Sequence, residues 1–105
     1  MLELREAKKE DAQLIAQYTR ELAEFEKLSH ECRADPELIA KWLFCDTPIA
    51  KCLLMEWDGK PAGFAMYFYN FSTFLSQPGI YLEDIFVRPD FRRKGIARAI
   101  FKHLA

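Results

Sequence analysis

Between residues 9 and 28 the apolar residues Leu14, Tyr18, Leu22 and Phe25 recur at helical spacing, which predicts one amphipathic helix with a single core-facing stripe. Asp11 in its first turn suits the positive end of the helix dipole. A second helix is predicted from Asp35 to about Phe44, with Asp35 as N-cap, Pro36 at the first helical position and Glu37 behind it. Leu2 to Arg5 reads as a short first strand.

Beyond Phe44 the pattern changes. Lys51 to Trp57 is short and apolar, Asp58-Gly59 is a two-residue turn signal, and Pro61 to Phe71 is a long aromatic-rich strand, so the three together predict a hairpin. Ser72 to Gly79 reads as a loop and Gly79 to Val87 as a further strand. Pro89 then interrupts the strand, and a basic turn leads into a helix from about Gly95 to the last residue. The order β-α-α-β-β-β-α predicts an α/β or α+β domain, a mixed sheet with helices packed on its faces. Lys102-His103-Leu104-Ala105 carries no C-cap signal, so the chain is expected to stop inside a helix.

Composition narrows the class. At 105 residues the chain fits one domain, half of it is apolar and 30% is charged, which is the balance of a globular protein. No apolar run approaches the roughly 20 residues of a membrane span, and Met1-Leu2-Glu3-Leu4-Arg5-Glu6 does not resemble a secretory leader. Cys32, Cys45 and Cys52 form an odd set without Cys-x-x-Cys spacing or a histidine pair, so reduced thiols in the cytoplasm are expected, with no metal site. The net charge of -1 is unevenly spread. From Arg88 onward six basic residues face one acid, whereas nine basic and fifteen acidic residues precede them. The C-terminal end favours an anion and the rest tolerates a cation.

The most specific stretch is Val87-Arg88-Pro89-Asp90-Phe91-Arg92-Arg93-Lys94-Gly95-Ile96-Ala97. A strand entering a tight turn and then a helix leaves backbone N–H groups unpaired at the helix start, backed by the helix dipole. Such a turn cradles an anion. Gly95 permits close backbone approach, Ala97 leaves little side chain in the way, and Arg92, Arg93 and Lys94 add charge where a pyrophosphate would lie. The same residues would also suit a capped helix with a solvated basic turn. Neither a P-loop nor a Gly-x-Gly-x-x-Gly fingerprint occurs.

Arg92-x-x-Gly95-x-Ala97 resembles the Gln/Arg-x-x-Gly-x-Gly/Ala acetyl-CoA signature of the GNAT acetyltransferases, preceded by a strand carrying Leu82-Glu83-Asp84-Ile85-Phe86-Val87. Three blocks resemble the diamine (spermidine/spermine) branch of that superfamily: Glu21 to Glu26, Gly63 to Tyr67 and Tyr81 to Val87. The resemblance implies a GNAT-like fold, of which residues 1–105 are the N-terminal part of a single domain. It also implies acetyl-CoA as cosubstrate without a metal, a primary amine of a diamine or polyamine as acceptor, and a homodimer. It further implies that the backbone of Ile85, Phe86 and Val87 lies along the acetyl group and pantetheine, and that Arg92, Arg93, Lys94, Gly95, Ile96, Ala97 and Arg98 hold the pyrophosphate. The family also places a tyrosine proton donor on a later helix, and no position here matches it.

Glu83 and Asp84 are neighbours on a strand, so strict alternation would send them to opposite faces and prevent them from forming a carboxylate pair. An ion pair at the strand end would explain them, as would a polar pocket. Amine chemistry gives such acids a task. Presenting a neutral amine of pKa about 10.4 near pH 7 costs about 4.6 kcal/mol, and a carboxylate can take that proton directly or through water. By resemblance Glu83 is the catalytic, water-mediated base and Asp84 part of the amine site. Phe25 and Glu26 match first-helix positions that contact the amine in that family, which often has tyrosine where Phe25 stands. Helical periodicity alone would put Phe25 in the core stripe and Glu26 on its solvated edge.

Two other classes are compatible with parts of the sequence. A non-catalytic CoA-binding or assembly module would use an exposed sheet edge to recruit a partner. Gly63 to Phe68 looks superficially like the aromatic strand of an RNA-binding module, but the acidic excess before Arg88 would repel phosphates, and no nucleic-acid or membrane partner is expected.

Overall fold

The computed structural model describes residues 1–104. Four antiparallel strands lie in the order β1-β2-β3-β4: β1 (Leu2–Glu6), β2 (Lys51–Trp57), β3 (Lys60–Ser72) and β4 (Gln77–Val87). Three helices complete the α+β domain: α1 (Ala12–Phe25), α2 (Pro36–Leu43) and α3 (Ile96–Leu104). Every strand pairing among the described residues is antiparallel.

The helices sandwich the sheet. Ile15 and Tyr18 of α1 pack on Leu54, Phe64 and Phe86, and Ile39 and Leu43 of α2 join that layer. On the opposite face Ile96 and Ile100 of α3 pack on Leu53, Met55, Ala65 and Tyr67. Because both faces of β2 are covered, Cys52, Leu53, Leu54 and Met55 are all buried, and the strand reads as a continuous apolar run without alternation.

Local chemistry sets the element ends. The Asp35 side chain accepts the Glu37 N–H at 2.9 Å, which caps α2 as expected. Asp58 and Gly59 have φ of 52° and 79°, the paired left-handed conformations of a hairpin turn whose twist matches its strands. The first helix is shorter than its periodicity suggests: a 3₁₀ turn occupies Lys9–Asp11, and α1 stops at Phe25 because Lys27 turns left-handed with φ 60°. Phe25 is therefore not part of the core stripe, being 62% exposed, whereas Ile15 and Tyr18 supply the buried face. The fourth strand begins at Gln77, two residues before the expected Gly79, and tolerates Pro78 because β4 is the last strand of the sheet among the described residues.

Close strand approach depends on Gly63. A Cβ there would meet the Phe86 carbonyl oxygen at 2.0 Å, so β3 and β4 can adopt this register only with glycine.

Candidate functional site

Two features lie along β4. At its C-terminal end the chain passes through a 3₁₀ turn (Pro89–Phe91) and the tight segment Arg92–Gly95 into α3. Arg93 and Gly95 have φ of 65° and 75°. Such left-handed residues in a short turn make successive N–H groups converge into an anion-binding concavity. The first bond within α3 runs from the Ala99 N–H to the Gly95 carbonyl at 3.1 Å, so the amides of Ile96, Ala97 and Arg98 have no partner inside the helix. They border a cavity of about 250 Å³ also lined by Val87, Arg93 and Gly95. This donor set fits a pyrophosphate.

The side chains differ from expectation in two respects. Arg92 borders the cavity but not as a free cation: its Nε donates to the Val87 carbonyl at 2.9 Å, and its guanidinium lies 4.4 Å from the Phe25 ring centroid. Lys94 turns away, with Nζ 5.1 Å from the Trp57 ring centroid. Arg93 and Arg98 remain exposed at the cavity and supply its side-chain charge. Gly95 also matters for a different reason than close packing. A Cβ there would meet nothing within 4 Å, whereas φ of 75° is a conformation that residues with a Cβ resist.

Ile85, Phe86 and Val87 lead into this turn. Phe86 is buried against α1, while Ile85 and Val87 pack on the α3 side. Their strand pairs with β3 on one edge, and among the described residues no strand pairs with the other. Apart from the Val87 carbonyl, which accepts from Arg92, backbone groups on that edge are open to a ligand.

The second feature corrects the reading of the two acids. Met66 pairs with Asp84 and Tyr67 with Leu82, so Glu83 is the extra residue of a β-bulge. The bulge breaks the alternation, and Glu83 and Asp84 line the same groove instead of opposite faces. This groove, of about 480 Å³, is closed by the end of α1 and the segment after it, and brings Glu26 and Glu31 to the two strand acids, with Arg33 as the cation among them. The Asp84 carboxyl is held above its ordinary value by burial first and then by the negative charges of Glu83 and Glu26. Three of the four proposed acceptor residues, Glu26, Glu83 and Asp84, thus meet in one place. Phe25 stands outside it, stacked on Arg92.

Glu31, Arg33 and Cys32 of this groove were not legible in the sequence, because they come from an irregular segment with no periodic signal. Arg88, counted among the anion-favouring charges, is instead bonded to Glu21 of α1 at 2.8 and 2.9 Å. Among the described residues no cluster of three or more His, Cys, Asp or Glu is arranged to hold a metal, and no helix is long and apolar enough to cross a membrane.

The α+β architecture, a four-stranded antiparallel sheet covered by helices on both faces, is shared with solved acetyltransferase structures. Residues 14–105 match the acetyltransferase (GNAT) family profile, and the chain belongs to that family. It is similar to the thialysine N-epsilon-acetyltransferase of Bos taurus, at 37% identity over 110 residues covering 97% of this chain and 64% of the relative. The chain spans less than two-thirds of the length of the curated relatives it matches. Among solved structures, a possible acetyltransferase from Clostridium difficile 630 superposes with a TM-score of 0.75 at 25% identity, covering 98% of this chain and 68% of that one. A predicted acetyltransferase from Clostridium acetobutylicum, solved with acetyl-CoA, shares the fold, with a TM-score of 0.74 at 17% identity, covering 99% of this chain and 71% of that one.

Proposed function

We propose that this chain is the cofactor-binding and amine-presenting part of an acetyl-CoA-dependent N-acetyltransferase acting on a primary amine of a small, diamine-like or polyamine-like molecule. One observation carries the reading: the bulge that pairs Glu83 with Asp84 and the turn that exposes the amides of Ile96 to Arg98 belong to the same strand and its continuation. Asp84 and Val87 are three residues apart, about 10 Å of strand, so an extended arm running along the end of β4 from the turn would reach toward the acidic groove. The thialysine acetyltransferase similarity supports an amine acceptor.

In this reading the turn holds the pyrophosphate through the Ile96, Ala97 and Arg98 amides and the Arg93 and Arg98 side chains, while the free edge of Ile85 to Val87 bonds the pantetheine arm. Bound there, acetyl-CoA supplies an activated acetyl thioester. Glu26, Glu31, Glu83 and Asp84 attract and orient the cationic acceptor. Glu83, more exposed, takes the ammonium proton through water, and Asp84, with its raised pKa, is the second acceptor in the same groove. The pair's shared side of the sheet makes this division of labour possible. We further place the protein in the cytoplasm, as a homodimer, by analogy of composition and family.

The test is amide exchange with and without CoA. Protection at Gly95, Ile96 and Ala97 supports the reading, and unchanged exchange at saturating CoA places the cofactor elsewhere. Acetyl transfer from acetyl-CoA to a panel of amines that includes thialysine then tests the acceptor class, and indifference to the distance between amino groups would remove the diamine-like part.

A further inference from the structure

Arg92 belongs to the turn by its backbone and to α1 by its side chain. Its Nε donates to the Val87 carbonyl, and its planar guanidinium lies 4.4 Å from the centroid of Phe25 and 5.9 Å from that of Phe86. Phe25 is the last residue of α1 and is 62% exposed, so core packing does little to fix its ring. Immediately after it come Glu26, which lines the acidic groove, and Lys27, whose left-handed φ of 60° redirects the chain toward Glu31 and Arg33 on the same groove. The guanidinium therefore stands between the anion turn and the point where the groove-forming segment leaves the helix.

We propose that Arg92 is a positioning residue that couples the two sites, with an anion in the turn restraining its backbone and its guanidinium carrying that restraint through Phe25 to Glu26 and the acidic groove. The proposal rests on the cofactor reading given above. Two arrangements of one side chain are involved. Released to water, the guanidinium would leave Phe25 unsupported; bonded to Val87 and stacked on Phe25, as observed, it has the arrangement that an anion fixing residues 92–95 would favour. A ligand that favours the second arrangement raises the affinity of the groove for an amine, and the amine raises the affinity for the anion by the same factor.

The stack supplies the discriminating variants. Phe25→Leu removes the aromatic face, Phe25→Tyr retains it, and Arg92→Lys keeps the charge but loses the planar fork. Phe25 is exposed, so its replacement leaves the core intact. In a CoA titration followed by amide chemical shifts, the unmodified protein should respond at Gly95 to Arg98 and also at Glu26 and Lys27. The ratio of the Glu26 response to the Gly95 response should fall several-fold in Phe25→Leu and Arg92→Lys and be restored in Phe25→Tyr. CoA should also tighten thialysine binding by about 5-fold or more, a gain lost in Phe25→Leu and kept in Phe25→Tyr. A response at Gly95 without one at Glu26, an unchanged ratio in Phe25→Leu, or equal thialysine affinity with and without CoA overturns the coupling while leaving the cofactor turn in place. No response at Gly95 in any variant overturns the cofactor reading, and the coupling with it.

Discussion

Arg88 at the end of β4 grips Glu21 in the middle of α1 with a two-pronged ion pair, Nε at 2.9 Å and Nη2 at 2.8 Å. The same guanidinium lies 4.8 Å from the centroid of the buried Tyr18 ring. This contact fixes the helix that carries Glu26 against the strand that carries Glu83 and Asp84. The bond to Arg88 holds the Glu21 carboxyl below its ordinary value.

Removing one partner should therefore loosen the sandwich. Arg88→Ala is expected to destabilise the fold by about 1–2 kcal/mol, the value of a partly exposed, charge-assisted pair, and Glu21→Gln by less. Because the folded pKa of Glu21 is lowered, the stabilisation is complete above its ordinary value of 4.5 and disappears as pH falls through the lower native value. Urea unfolding at neutral and acid pH checks this. An Arg88→Ala deficit that stays constant down the acid limb would exclude Glu21 as the titrating partner.

Gly63→Ala is expected to destabilise by about 1–3 kcal/mol, or to shift the β3–β4 register. The new methyl would press on the Phe86 carbonyl at 2.0 Å, and backbone cannot swing aside as a side chain can. A denaturation midpoint equal to that of the unsubstituted protein would show that β4 tolerates a wider spacing.

The parts of the fold legible in the sequence are those governed by neighbours along the chain. Asp35-Pro36, Asp58-Gly59 and the apolar run of β2 each specify their local structure, and each forms where expected. The signature from Arg92 to Ala97 was legible for the same reason. What escaped depends on pairing between distant residues. Nothing near Glu83 announces a bulge, because the extra residue is defined only by the register of Met66 and Tyr67 on another strand. Likewise the direction of the Arg92 side chain is set by Phe25, across the fold. Periodicity assigned Phe25 to the core because it cannot foresee that Lys27 ends the helix.

Gly95 separates two explanations for a glycine in a turn. Since a Cβ meets nothing within 4 Å and φ is 75°, conformation and not space is limiting. Gly95→Val should lose about 1–2 kcal/mol and bind CoA weakly, whereas Gly95→Asn, which accepts left-handed φ, should retain most of both. Calorimetric titration with CoA on both variants decides; equal weakening would point to a steric role toward the ligand.

Asp84 carries a fold cost that its function would explain. Burial and the charges of Glu83 and Glu26 raise its folded pKa above the ordinary 3.8, so the native state binds a proton more readily than the unfolded chain. The contribution of Asp84 to stability is therefore greatest below 3.8 and is lost as pH rises through the raised value. Asp84→Asn, which carries no charge at any pH, is expected to be more stable than the unsubstituted protein near neutrality, with the difference closing as both are acidified. Acetyl transfer should move the other way. Glu83→Gln is expected to slow turnover by about 10²-fold or more near neutral pH and to recover as pH approaches the amine's own pKa of about 10.4, where the acceptor is neutral without help. Asp84→Asn should slow turnover and raise the amine KM together, because the charge that orients the cation is lost with the proton acceptor. Thermal unfolding and pH–rate profiles on the same variants test both halves. Destabilisation by Asp84→Asn near neutrality would mean that its carboxylate is stabilised by a partner, and a flat pH response in Glu83→Gln would remove that residue from proton transfer.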